Sequence, residues 1–311
     1  MKPYQKVVGA ALAAGLMLLT SACSAVTIDG ETAPNTDGAL QGNGKIGLSV
    51  STLNNQFFVS LSDGAREAAR ELGADLIVID AGDDPAKQTN DIEDFISKNI
   101  TVLLVNPVDS DAVAPAVSDA KAKGIRIISI DRVVNGVEVD CQIASDNVAG
   151  ASMATEYLTE LIGEGAKVAE LQGVPGTSAA IDRGQGFHDI ADSKLNVVAS
   201  QTAHFNRAEG LMVMENILQA DSAIQGVFAH NDEMALGAIE AIDAVGREIQ
   251  VVGFDATEDA VAAVQAGRMA ATVAQQPELM GRTAVETAMK MMDGEVVPDA
   301  MPVEVELITQ K

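Results

Sequence analysis

From residue 45 onward the chain alternates between short, unbroken apolar runs and longer amphipathic stretches. The runs are Ile46–Val50, Leu76–Asp80, Val102–Val105, Ile125–Ile130, Val168–Leu171, Val197–Ser200, Gly226–Ala229 and Val251–Phe254. Apolar runs without a period of two predict strands covered on both faces, and the stretches between them are long enough to supply crossover helices. The alternation therefore predicts a parallel α/β architecture. Eight such units would also suit a closed (β/α)₈ barrel. Four units precede the segment Ile143–Asn147 and four follow it, which fits two similar doubly wound domains better.

Helix signals fill the gaps. Phe58, Leu61, Ala65, Ala68, Ala69 and Leu72 recur at helical spacing, and Asp84-Pro85 opens a helix running to Asn99. Asp109 opens another, and Asp232-Glu233 starts Met234–Val245 with carboxylates in the first turn. Gly73, Gly124 and Gly246 mark stops, Pro277 begins a last helix through Met292, and Val303–Ile308 alternates as a terminal edge strand.

In open parallel sheets ligands bind beyond the carboxyl ends of the strands. The first such end, Ser51–Phe58, sets two adjacent Phe beside two adjacent Asn at a strand-to-helix junction. A helix cap over core rings is one reading; a wall for a ligand with apolar faces and hydroxyl edges is the other. The later strand ends deliver Asn106-Pro107, Asp131-Arg132, Phe205, His230-Asn231-Asp232, Asp255 and Gln275. One at a time these are ordinary helix caps or surface residues. Together they make a set of carboxylates, amides and a guanidinium that would suit an uncharged polyol, since a hydroxyl serves donors and acceptors alike. Leu171–Ser178 has the look of a phosphate loop but lacks the Gly-Lys-Ser/Thr ending. No Gly-x-Ser-x-Gly elbow occurs, Asp131 and Asp255 have no evident proton-transfer partner, and the sequence predicts no enzyme.

Composition narrows the class further. A formal net charge of −25 over 311 residues argues against nucleic acid, which requires clustered Lys and Arg. Lys2 and Lys6, the apolar run Val7–Leu19 and Thr20-Ser21-Ala22-Cys23 have the layout of an export signal. The small residues before Cys23 resemble a bacterial lipobox, although Leu19 stands one position earlier than usual. The expectation is a signal peptide over 1–23, acylation of Cys23 and a flexible linker over 24–43, with cleavage near Ala25 as the alternative. Cys141 is the only other cysteine and is read as a small strand residue. His188, His204 and His230 are scattered singly, so neither a metal nor a cofactor is expected.

Eight stretches carry a family resemblance: STLNNQFF at 51–58, NPVDSDAV at 106–113, IDR at 130–132, IASDN at 143–147, ELQGVPGTSAA at 170–180, NDEMALGA at 231–238, VVGFDAT at 251–257 and ATVAQQP at 271–277. From about Lys45 to Lys311 the chain resembles the ribose-binding members of the pentose/hexose-binding family of type I periplasmic binding proteins, which serve bacterial ABC transporters. The resemblance implies two Rossmann-like lobes joined by three hinge crossovers, one formed by 44–145 plus 276–304 and the other by 146–275 plus 305–311. It places Asn55, Phe57, Phe58, Asn106, Asp131 and Arg132 on the first lobe as sugar contacts. Arg183, Phe205, Asn231, Asp255 and Gln275 fall on the second lobe or its hinge side, and Arg183 comes from the resemblance alone. Phe58 and Phe205 would cover the two faces of the sugar ring.

The implied ligand is D-ribose, with another monosaccharide such as allose or galactose as the alternative. The implied partners are a membrane permease and, as a second reader, a chemoreceptor. A monomer is expected, in the periplasm or outside the cytoplasmic membrane, tethered through Cys23. Departures from the family pattern are Gln56 where Pro is common, Ile181 where a second Arg is common, and Cys141. A repressor of the same fold would begin with a basic helix-turn-helix, and a sugar-processing enzyme would need a proton-transfer pair.

Overall fold

The computed structural model describes residues 44–310. The export signal, Cys23 and the linker of the sequence reading lie outside the described residues. In chain order the first lobe contains β1 (Lys45–Val50), α1 (Gln56–Leu72), β2 (Asp75–Asp80), α2 (Pro85–Ser97), β3 (Val102–Val105), α3 (Ala114–Ala122), β4 (Arg126–Ile130) and β5 (Cys141–Ser145). The chain crosses into α4 (Asn147–Ile162), β6 (Lys167–Gln172), α5 (Ser178–Lys194), β7 (Asn196–Thr202), α6 (Arg207–Ala220), β8 (Gly226–Ala229), α7 (Asp232–Ala244), β9 (Gln250–Asp255), α8 (Glu258–Gln265) and β10 (Ala271–Ala274). It returns through α9 (Pro277–Met292) and β11 (Ala300–Val303) and ends in β12 (Glu306–Thr309).

Two open six-stranded sheets result, ordered β11-β5-β4-β3-β1-β2 and β12-β10-β9-β8-β6-β7. Every pairing in the first sheet is parallel, and β12 alone runs antiparallel in the second. The barrel alternative is thereby excluded. The two sheets share one topology, with the order reversing between β1 and β3 and again between β6 and β8. Such reversals are where doubly wound sheets open a crevice.

Why the apolar runs lack alternation is visible in the packing. Val102 and Leu104 of β3 point into one core of the first lobe and Leu103 and Val105 into the other. In β9, Val251 enters one core of the second lobe while Val252 and Phe254 enter the opposite one. With helices on both faces, neither side of such a strand meets water.

Three predicted elements differ. Val303–Ile308 is not one edge strand: β11 and β12 belong to different sheets, and the chain changes lobes at Glu304 and Val305. Local alternation cannot register a change of partner. Asp109 does not open α3; its Oδ1 accepts from Asp111 N and Ala112 N in a separate turn, and the helix starts at Ala114. Asp232-Glu233 stand inside the first turn of α7, with Asn231 as the cap.

Candidate functional site

The junction after β1 satisfies both readings of its sequence. Asn55 is the N-cap of α1, its Oδ1 accepting from Phe57 N–H at 2.9 Å. Phe57 and Phe58 are buried edge-to-face, with ring centroids 5.1 Å apart, and all three residues line a cavity between the lobes. One amide thus caps a helix through its oxygen and leaves its nitrogen for the cavity.

The end of β4 supplies the charges of this wall. Asp131 adopts φ +64°, a left-handed conformation uncommon for a residue with a side chain, and its backbone N–H donates to Ile143 O. Arg132 places its guanidinium 5.1 Å from the Phe58 ring centre and donates from Nη1 to Pro107 O at 2.8 Å. Asn106 is fully buried but does not line the cavity. Its Nδ2 donates to Asp131 Oδ2 and Ile130 O, and its Oδ1 accepts from Ser51 N–H. Every polar group of that side chain is engaged, so Asn106 holds Asp131 from behind.

The second lobe supplies the opposite wall. Arg183, from α5, donates from Nε to Asn147 Oδ1 at 2.8 Å and from Nη1 to His230 O at 2.6 Å. Its guanidinium lies 3.9 Å over the Phe254 ring and 3.7 Å from Asp255 Oδ1. Phe205 sits at φ +58° after β7 and packs on Gly173, where a Cβ would collide with its ring. Asn231 caps α7 through Oδ1 and donates from Nδ2 to Phe205 O. Asp255 takes φ +122° at the end of β9 and accepts from Gln275 Nε2 at 2.7 Å. Three cavity-lining residues thus hold positive φ angles, a cost usually tolerated only where the surroundings fix a functional geometry.

The lobes are closed on each other. Ser110 N–H donates to Gly176 O, Ser178 N–H to Ser110 Oγ, and Val133 N–H to Ser178 Oγ at 2.9 Å. The cavity between the lobes is also lined by Ala179.

Charge within the cavity is balanced, with Asp131 and Asp255 against Arg132 and Arg183. Burial raises the Asp131 carboxyl above its ordinary value, against the pull of Arg132 and Arg183. Burial pushes Asp255 up to about 7, opposed first by Arg183. Both guanidinium groups are lowered by burial. Asp131 Oδ1, Arg132 Nε and Gln275 Oε1 are buried without a hydrogen-bond partner among the described residues, though Arg132 Nε is 3.6 Å from Asp131 Oδ2. Buried polar atoms left unpaired cost about 1–3 kcal/mol each, so this set is suited to hydroxyls that would pair them. Among the described residues no cluster of His, Cys, Asp and Glu could hold a metal ion.

The sequence reading thus finds ten of its eleven predicted contacts around one cavity, with Asn106 behind it. It missed Ala179, the seal made by Ser110 and Ser178, and the support that Asn147 and His230 give Arg183. The glycine-containing stretch 173–178, set aside as an incomplete phosphate loop, was the available signal for the seal.

Residues 46–295 match the model of a family described as the periplasmic binding protein domain. Among curated relatives, the ribose import binding protein of Bacillus subtilis (strain 168) is 51% identical over 266 residues, 86% of this chain and 87% of that protein. That of Escherichia coli (strain K12) is 49% identical over 268 residues, 86% and 90% of the two chains. Among solved structures, a transporter solute-binding protein of Bacillus halodurans C-125 with bound myo-inositol superposes with a TM-score of 0.82 at 35% identity, covering 88% of this chain and 96% of the other. One from Actinobacillus succinogenes 130z with bound D-allose gives 0.81 at 32%, covering 86% and 98%. With two lobes closed over a neutral polar cavity and matches of this length, the chain belongs to the periplasmic binding protein domain family.

Proposed function

We propose that this protein is the extracytoplasmic binding component of an ABC sugar importer, that it takes D-ribose in the interlobe cavity, and that its closed form is what the membrane permease reads. The observation that carries the reading is the unpaired trio Asp131 Oδ1, Arg132 Nε and Gln275 Oε1 in a charge-balanced cavity between the lobes. An uncharged polyol fits that set; an anion or cation would upset the balance. The ribose assignment is supported by relatives near 50% identity that bear that name. Allose or another hexose is the second reading, favoured by the D-allose complex of a more distant neighbour.

The proposed contacts are Asn55, Phe57, Phe58, Asp131 and Arg132 from the lobe of 44–145 plus 276–304, and Arg183, Phe205, Asn231, Asp255 and Gln275 from that of 146–275 plus 305–311. Each lobe supplies only part of the set, so the ligand stabilises the closed arrangement over the open one. The proposed location is the periplasm or the outer side of the cytoplasmic membrane, with Cys23 acylated and the protein monomeric. A chemoreceptor is proposed as a second reader of the closed form.

Calorimetric titration with ribose, allose, galactose and xylose tests the ligand, and ribose is expected to bind most tightly. Hydrogen bonds to charged groups contribute roughly 1.5–3 kcal/mol, so Asp131→Ala is expected to weaken ribose binding more than tenfold. Wild-type affinity in that variant would remove Asp131 from the site.

A further inference from the structure

One buried carboxylate takes no part in the cavity. Glu170, on β6, is 0% exposed and does not line the cavity. Its Oε1 lies 2.9 Å from His230 Nε2, and its Oε2 lies 2.9 Å from Gln172 Nε2 and 3.3 Å from His188 Nε2. Two of the three histidines that look isolated in the sequence therefore meet on one carboxylate. A buried charge is retained only with compensating partners, and here the partners lead in two directions.

Inward, His230 reaches two of the second-lobe residues that line the cavity, Arg183 directly and Phe205 through Gly173. Its Nδ1 accepts from Gly173 N–H at 3.3 Å, which assigns the proton to Nε2 and makes that nitrogen the donor to Glu170. Gly173 is the residue against which Phe205 packs, and the His230 carbonyl receives Arg183 Nη1. Outward, His188 on α5 is 38% exposed at its side chain and pairs through Nδ1 with Asp192 at 2.8 Å. A continuous line thus runs from solvent through Asp192, His188, Glu170 and His230 to Arg183 and Phe205.

We propose that Glu170 and His230 are positioning residues that hold Arg183 and Phe205 in their ligand-binding geometry, and that His188 makes this hold responsive to pH. The inference rests on the sugar-binding reading above.

The charges around His188 set the sign. Facing it are Glu170 from β6 and Asp192 from its own helix; His230 lies beyond Glu170, Arg183 faces His230, and the uncharged Ser200 of β7 hydrogen-bonds Glu170. Burial lowers the His188 value, and Asp192 and Glu170 outweigh it, so it stands above the ordinary histidine value. Burial raises the Glu170 carboxyl, and the bond from His230 with its other neighbours outweighs that, leaving it ionised. Burial holds His230 low and neutral. A histidine whose value is raised contributes its ion pair fully below about 6.5 and loses it as pH climbs through the raised value. Above that window Glu170 keeps its hydrogen bonds but loses its facing cation, and the line slackens toward Arg183.

Ribose calorimetry at pH 6, 7 and 8 on wild type, His188→Gln and Glu170→Gln tests this, with ¹⁵N NMR of the Arg183 Nε–H in the sugar-free protein as a second reading. Wild-type affinity is expected to fall about fivefold or more from pH 6 to 8, a typical coupling between sites. His188→Gln should shrink that fall to the part contributed by Asp255, itself pushed up to about 7, and Glu170→Gln should do the same and lower the affinity at every pH. The Arg183 signal should follow the same titration in wild type and stay fixed in His188→Gln.

A purely structural role for the line would lower thermal stability and leave the pH profile as in wild type, overturning the proposal. A flat wild-type profile would overturn it as well. If Glu170→Gln fails to fold, His188→Gln, altered at a partly exposed side chain, decides alone. Failure of wild type to bind any sugar of the panel would instead remove the ligand assignment and this inference with it.

Discussion

Closure is the step most directly open to perturbation, and Gly176 offers a substitution that reaches it selectively. Gly176 lies in the loop before α5 at φ +86° and accepts from Ser110 N–H of the other lobe. A Cβ there would sit 2.5 Å from Asp109 Oδ2. That carboxylate cannot simply swing away, because its Oδ1 is fixed by Asp111 N–H at 2.9 Å and Ala112 N–H at 2.7 Å. Gly176→Ala therefore carries two costs of different reach. The left-handed backbone costs roughly 1–2 kcal/mol whether the lobes are open or closed, so it lowers thermal stability and cancels from the affinity. The collision arises only on closing, and overpacking of this kind costs about 1–3 kcal/mol. Sugar affinity should then fall roughly 5- to 150-fold by calorimetry. Gly73→Ala is the control: Gly73, the left-handed C-cap of α1 at φ +69°, has nothing within 4 Å of a Cβ, so it incurs the first cost without the second. Comparable losses of melting temperature in both variants, with weakened binding only in Gly176→Ala, are expected. Affinity within twofold of wild type in Gly176→Ala would show that the 173–178 loop does not form a seal in the bound state.

Two further outcomes follow from the cavity. Asp255, pushed up to about 7 by burial, holds a proton in the closed, sugar-free protein that an ordinary carboxyl has already lost near pH 4. Raising pH from about 5 through about 7 therefore costs the empty closed form stability relative to a hydrated open one, and Asp131, also raised, acts in the same sense. Small-angle scattering without sugar should show the radius of gyration growing over that range, and an unchanged radius would contradict the assignment. Phe205→Ala removes a ring that lines the cavity and packs on Gly173. Affinity is expected to drop more than tenfold with little change in sugar-free melting temperature, because Phe205 is only partly buried; an intact affinity would leave the second face of the ligand to another residue.

Most of the architecture was legible because it is local. An apolar run such as Val102–Val105 that feeds two cores with alternate residues leaves a pattern that needs no partner to read, and the helix caps Asn55, Asp84 and Asn231 are chosen by the chain within three residues of themselves. What local pattern could not register is which sheet a strand joins, and β11 and β12 show it: the plausible edge strand Val303–Ile308 conceals a change of lobe. The same limit divides the site. Strand-end residues announce themselves because topology sends them to one crevice, which is why Asp131, Asn231 and Asp255 were readable.

Residues that act through others were not, and Asn106 shows why. Its side chain has the type and the strand-end position of a ligand contact, yet all its hydrogen-bonding groups are spent on Ser51, Ile130 and Asp131. Arg183 is the converse case. It lies inside a helix, two turns from any strand end, and reaches the cavity only because Asn147 and His230, 36 and 47 residues away, accept its donors. The specificity of such a site is therefore carried by two layers. The inner layer follows from topology and can be read in sequence, whereas the outer layer, Asn106, Asn147, Glu170 and His230, consists of hydrogen bonds between distant segments and fixes the angle at which the inner one meets its ligand.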